Sequence, residues 1–150
     1  MDTAYKTTLE LDKVLNRAVQ LCACQETKEM MQALEPAPTI EDERYDLTQT
    51  NAINALLIKN GSPRFGSVRE VRRIVAHARK GGILSMGELL EIAATLRNFS
   101  GLSQWYGLSE HEMLPTDDLF FALAPQPVLE KQISESIISP EEMAGTASVT

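Results

Sequence analysis

Ser67-Val68-Arg69-Glu70-Val71-Arg72-Arg73-Ile74-Val75-Ala76-His77-Ala78-Arg79-Lys80-Gly81-Gly82 decides the fold class of this chain. Serine with glutamate three residues on is a capping box, each side chain satisfying a backbone N–H at a helix start. Val68, Val71, Ile74, Val75 and Ala78 then recur at the three- and four-residue steps of one helix face. Gly81-Gly82 ends the pattern, because glycine enters the left-handed conformation that closes a helix without steric cost. A second capping box, Ser85-Met86-Gly87-Glu88, opens the next helix. Its apolar face is Leu89, Ile92, Ala93, Leu96 and Phe99, with Trp105 and Tyr106 near its end.

The same period extends outward in both directions. Toward the N-terminus, Leu11, Val14, Leu15, Ala18, Leu21 and Cys22 form one face after a cap at Thr8. The pattern continues through Met30, Met31 and Leu34 until Pro36 and Pro38 forbid a helix. Thr39-Ile40-Glu41-Asp42 starts another helix with acids in its first turn, where the helix dipole favours them. Tyr45, Ala52, Ile53, Leu56 and Leu57 are its expected core side, and Asn60-Gly61 its end. Toward the C-terminus, a helix is expected around Leu114 to Ala124. A short amphipathic helix carrying Leu129, Ile133 and Ile137 follows. Ser139-Pro140-Glu141-Glu142 reads as one more helix start, with proline at the first helical position. No stretch reads as a convincing strand. The expected fold is all-α, an irregular bundle of about six to eight helices. Helical residues 1–139 would form one region, and 140–150 the start of a following segment cut short.

Charge is unevenly placed. Residues 1–109 hold 13 acids and 13 bases, so the net −7 sits in residues 110–150, with eight acids and one base. This argues against a uniformly basic nucleic-acid wrapper. No apolar run approaches the roughly 20 residues of a membrane span, and no secretory signal precedes the first helix, so a cytoplasmic protein is expected. Cys22 and Cys24 fall in the first expected helix. There, two-apart residues diverge and a disulfide is excluded, so both read as small buried hydrophobes.

Motifs for catalysis are sparse. Gly61 to Gly66 has the glycine spacing of a phosphate loop, but Ser67-Val68 stands where Lys-Ser or Lys-Thr is required. His77 and His111 lack ligand partners at helical spacing. Asp117-Asp118 reads as a helix start. No catalytic, metal-binding or cofactor-binding residue is assigned. The cluster that carries a physical argument is basic: Arg64, Arg69, Arg72, Arg73, Arg79 and Lys80, six of the 14 bases within 17 residues. Arginine is suited to bidentate contact with phosphate or carboxylate. The face either contacts DNA or RNA, or is a solvated or domain-docking surface.

These residues also resemble a known family. Thr8-Leu9-Glu10-Leu11-Asp12-Lys13-Val14-Leu15 is similar to the N-terminus of the second MutS family, MutS-related proteins with a C-terminal Smr nuclease domain. The more specific block is Gly61-Ser62-Pro63 with Gly66, Val68-Arg69-Glu70-Val71, Ala78-Arg79-Lys80-Gly81-Gly82-Ile83-Leu84-Ser85 and Glu88-Leu89-Leu90. The resemblance spans about residues 5–148. It implies the N-terminal part of a MutS-type core and lever region. An ATPase using ATP and magnesium, and then the nuclease, would lie further along the parent protein. It also implies homodimers acting on DNA or ribosomal RNA in recombination control or ribosome rescue. This chain would then couple ATPase state to nucleic-acid binding through the remaining domains of its own chain. The rivals are a free-standing helical protein-interaction module and a small enzyme with a site assembled from distant residues.

Overall fold

The computed structural model describes residues 10–64, 66, 68–108 and 112–143. The expected cap at Thr8, the serine of the first capping box and His111 lie outside the described residues. Seven helices are described: α1 (Leu11–Leu21), α2 (Gln25–Gln32), α3 (Ile40–Asn60), α4 (Arg72–Arg79), α5 (Met86–Tyr106), α6 (Asp117–Phe121) and α7 (Pro127–Ser136). A two-stranded hairpin follows, β1 (Ile137–Ser139) and β2 (Glu142–Met143). The all-α expectation therefore holds. The chain divides into two compact units, residues 1–50 and 51–150, with the division inside α3.

In the first unit, α1 and α2 replace the single helix expected over 11–34. The break falls at Cys22-Ala23-Cys24, so the cysteines flank a turn instead of sitting in a helix. At Cys22 the backbone is extended and its N–H closes on Val19 O at 3.1 Å. The Cys22 thiol takes the Ala18 carbonyl that a continuing helix would have used, at 3.4 Å. Both thiols are free and half-buried, not core residues. Past Pro36 and Pro38, Thr39 caps α3 as expected, its Oγ1 accepting from Asp42 N–H at 3.1 Å. None of the described residues of this unit is fully buried. Tyr45, expected in the core, is exposed.

The second unit is organised along α5, a 21-residue helix whose capping box forms as expected. Glu88 N–H donates to Ser85 Oγ (3.3 Å), and Ser85 N–H to Glu88 Oε2 (2.7 Å). One end of α5 buries Trp105 and Tyr106 with Leu56, flanked by Ile53, Leu57, Leu114 and Phe120. Trp105 Nε1 donates to Gly61 O at 2.8 Å, and Asn60 Nδ2 to Trp105 O at 3.1 Å. These bonds satisfy the helix end where Gly61 turns left-handed (φ +72°). The other end buries Ala93 with Ile133 and Ile137, among Met86, Leu89, Leu90 and Ile92. Arg97 of α5 pairs with Glu130 of α7, and its Nη2 also donates to Ser134 Oγ at 3.0 Å.

Two expectations for this unit fail. Helix α6 covers only Asp117–Phe121, a fraction of the segment expected around Leu114 to Ala124. Ser139-Pro140-Glu141-Glu142 is the turn of a hairpin, in which Ile137 pairs with Met143 and Ser139 with Glu142. Serine followed by proline suits a β-turn as well as a helix start. Here Ser139 Oγ accepts from Glu141 N–H, two residues on, at 3.3 Å.

Candidate nucleic-acid interface

The basic cluster occupies a loop, an irregular approach and a short helix in the second unit. Arg64 is exposed in the loop after α3. Gly66 N–H donates to Asn98 Oδ1 at 2.9 Å, fastening this loop to α5. A Cβ at residue 66 would stand 2.7 Å from that oxygen, so a larger residue there would push the Asn98 amide aside and disturb this bond. Residues 68–70 have no regular structure, and α4 begins only at Arg72, four residues later than expected. Val68 and Val71 are half-buried, and the helix that the capping box announces is not formed over 68–71. Arg69 borders a shallow cleft of about 330 Å³ with Gly87, Leu90, Glu91, Ala94 and Pro140.

Within α4, Ile74 is the buried anchor, while Val75 and Ala78 of the expected apolar stripe are exposed. Arg72, Val75, Ala76 and Arg79 lie at steps of three and four and are all exposed. They form a basic stripe with a small apolar centre. Arg73 and Lys80 are exposed beside it. The helix closes as a Schellman motif: Gly82 N–H donates to His77 O (3.1 Å) and Gly81 N–H to Ala78 O (2.9 Å). Gly81 is left-handed at φ +81°, and the His77 ring lies where a Cβ of residue 82 would stand. The Glu88 carboxyl is held below its ordinary range by the Ser85 N–H, by the Ser85 hydroxyl and by the charge of His77.

All six predicted basic residues thus lie on one connected segment and are exposed, although α4 is shorter than the sequence suggested. Asn98, which positions the loop, opens the glycosylation sequon Asn98-Phe99-Ser100, but nothing in that tripeptide points to Gly66. Among the described residues, no group of three or more His, Cys, Asp or Glu could hold a metal. No helix there is long and apolar enough to cross a membrane. The 61–66 loop follows a helix, not a strand, and lacks the phosphate-reaching lysine, so it does not fit a nucleoside triphosphate.

An all-α chain with an exposed arginine-rich segment is the class that the geometry defines. Along nearly its whole length, it is homologous to proteins of the second MutS family, as the 61–90 block implied. It is 28% identical over 144 residues to the endonuclease MutS2 of Clostridium beijerinckii, covering 95% of this chain and 18% of that protein. It is 29% identical to the endonuclease MutS2 of Lachnospira eligens, covering 99% of this chain and 18% of that protein. With that of Ruminiclostridium cellulolyticum it shares 30% identity, over 99% of this chain and 19% of that protein. The chain thus spans about a fifth of the length of the relatives it matches. No protein-family model matches it, and no solved structure matches it significantly.

Proposed function

We propose that this chain is a non-catalytic helical region of a MutS2-type protein, and that its arginine-rich segment contacts the phosphate backbone of DNA or RNA. The observation carrying this reading is the placement of Arg72 and Arg73 in the first turn of α4, both exposed. A helix start is the positive end of the dipole, so cations there oppose local helix stability. The same positive end favours an anion. Two arginines beside it, with Arg64 and Arg69 on the approach, suit phosphate better than they suit the helix. Arg79 and Lys80 sit at the opposite end, where the dipole favours them. In this reading ATP and magnesium belong to an ATPase region that these residues do not supply, and the chain passes its nucleotide state to the nucleic-acid contact. The test is binding of duplex DNA and of structured RNA as a function of salt, with and without charge reversal at Arg69, Arg72 and Arg73.

A second reading rests on a different observation. Val14, Leu21, Met30, Leu34, Ile40 and Leu47 of the first unit are all more than half exposed. An apolar cleft of about 430 Å³ there is floored by Leu11, Leu15, Leu34 and Leu47 and edged by Glu35, Glu43 and Asp46. Exposed apolar surface of this kind marks a protein–protein contact. It suits packing against further domains of a longer chain, a homodimer partner or, for a free-standing module, a separate protein.

A further inference from the structure

The break between α1 and α2 places Cys22 and Cys24, the only two cysteines of the chain, on either side of a single alanine. A continuous helix would turn two-apart side chains about 200° from one another and keep their sulfurs apart. Here both residues are extended: Cys22 at φ −73°, ψ 133° and Cys24 at φ −136°, ψ 163°. Cα atoms two residues apart lie at most about 7 Å from each other, which includes the range a disulfide spans. Each thiol is half-buried, and each is held by its own helix: Cys22 Sγ by Ala18 O (3.4 Å), Cys24 Sγ by Thr27 Oγ1 (3.0 Å). Sulfur hydrogen bonds are weak, and rotation about each Cα–Cβ bond releases them.

We propose that Cys22 and Cys24 form a redox-sensitive clasp at the α1–α2 corner, closing to an intramolecular disulfide with a low-molecular-weight disulfide as oxidant. In the first step one cysteine thiolate attacks the oxidant, forming a mixed disulfide and releasing one thiol. The other thiolate then attacks the protein sulfur of that mixed disulfide, forming the Cys22–Cys24 bond and releasing the second thiol. Two cysteine thiols are oxidised, one external disulfide is reduced to two thiols, and the two protons leave on them. The clasp is compatible with the broken backbone and incompatible with a helix running through residues 22–24. Oxidation therefore locks the corner, and reduction frees it.

The test uses glutathione disulfide on the purified chain. The tryptic peptide Ala18–Lys28, which contains both cysteines, is followed by mass. The expected product lacks two hydrogens, carries no glutathione and forms with an unchanged far-ultraviolet helix signal. Ring closure from the mixed disulfide is expected to be faster in native buffer than in urea, because the turn is already made. Cys22→Ser and Cys24→Ser are each expected to retain one glutathione. Persistent glutathione on both cysteines, a chain-to-chain disulfide, loss of helix on oxidation, or faster closure in urea would each overturn the proposal.

Discussion

The phenol of Tyr106 donates a 2.6 Å hydrogen bond to Asp117 Oδ1, joining the last turn of α5 to the first turn of α6. Thr116 Oγ1, with 0% exposure, lies 2.9 Å from the same phenol oxygen, and the Phe120 ring stacks on Tyr106 at 3.8 Å. Asp117 Oδ2 accepts from Leu114 N–H at 3.2 Å, so this carboxylate also shapes the turn into α6.

Tyr106→Phe is expected to cost about 1–3 kcal/mol in urea unfolding, because it strips a buried group of its partner while keeping the stack. Burial first, then the bond to Asp117, pushes the phenol above its ordinary value of 10.0. A raised folded value means that the folded state holds the proton more tightly. The associated stability is complete below about pH 10 and is lost as pH rises through the raised value. Tyr106→Phe should flatten that alkaline limb, and an unchanged limb would show that another group causes it.

The Arg97–Glu130 pair predicts an acid limb. Arg97 donates from Nε (3.1 Å) and Nη2 (2.6 Å) to Glu130 Oε1, and these bonds chiefly hold the Glu130 carboxyl below its ordinary 4.5. A lowered carboxylate stabilises the fold above about pH 4.5, and this contribution disappears as pH falls through the lowered value. With Arg97 mostly exposed, a double-mutant cycle using Arg97→Ala and Glu130→Gln should give a coupling of about 1 kcal/mol or less, weaker in high salt.

The end of α4 predicts unequal responses at adjacent glycines. Gly81→Ala forces an L-residue into φ +81° and is expected to cost about 1–2 kcal/mol by thermal unfolding. Gly82→Ala meets the His77 ring instead, so its cost should largely vanish in a His77→Ala background. Equal costs in both backgrounds would show that the ring is not the obstacle.

Charge reversal at Arg69, Arg72 and Arg73 is expected to weaken binding of duplex DNA or structured RNA. The slope of log affinity against log salt should become shallower by roughly 0.7–0.9 for each phosphate that is no longer neutralised. Fluorescence anisotropy across a salt series reads both effects. Unchanged affinity and slope would leave the basic segment as a docking or solvated surface.

How legible the chain was depends on the range of each signal. The Ser85–Glu88 box, the Thr39 cap and the Gly81-Gly82 stop are closed within a few residues, and the structure shows each of them. Periodicity likewise placed Leu56, Ile74, Ala93 and Ile133 on buried faces. Arg97 and Glu130 are 33 residues apart, and no local pattern pairs them. Asn98 reaches Gly66 across 32 residues, and it anchors the candidate interface without any spacing to announce it.

The sequence by itself determined that the chain is helical, where α3 and α5 start and stop, where α4 ends, and that six bases share one segment, because capping, glycine conformation and apolar period act over a turn or two. Only the tertiary structure decided the break at Cys22–Cys24, the hairpin at Ser139–Glu142 and the late start of α4. In each case the local signal fitted two backbones. At the hairpin, burial of Ile137 against Ala93, distant in sequence, and Ile133, on another element, favours the strand.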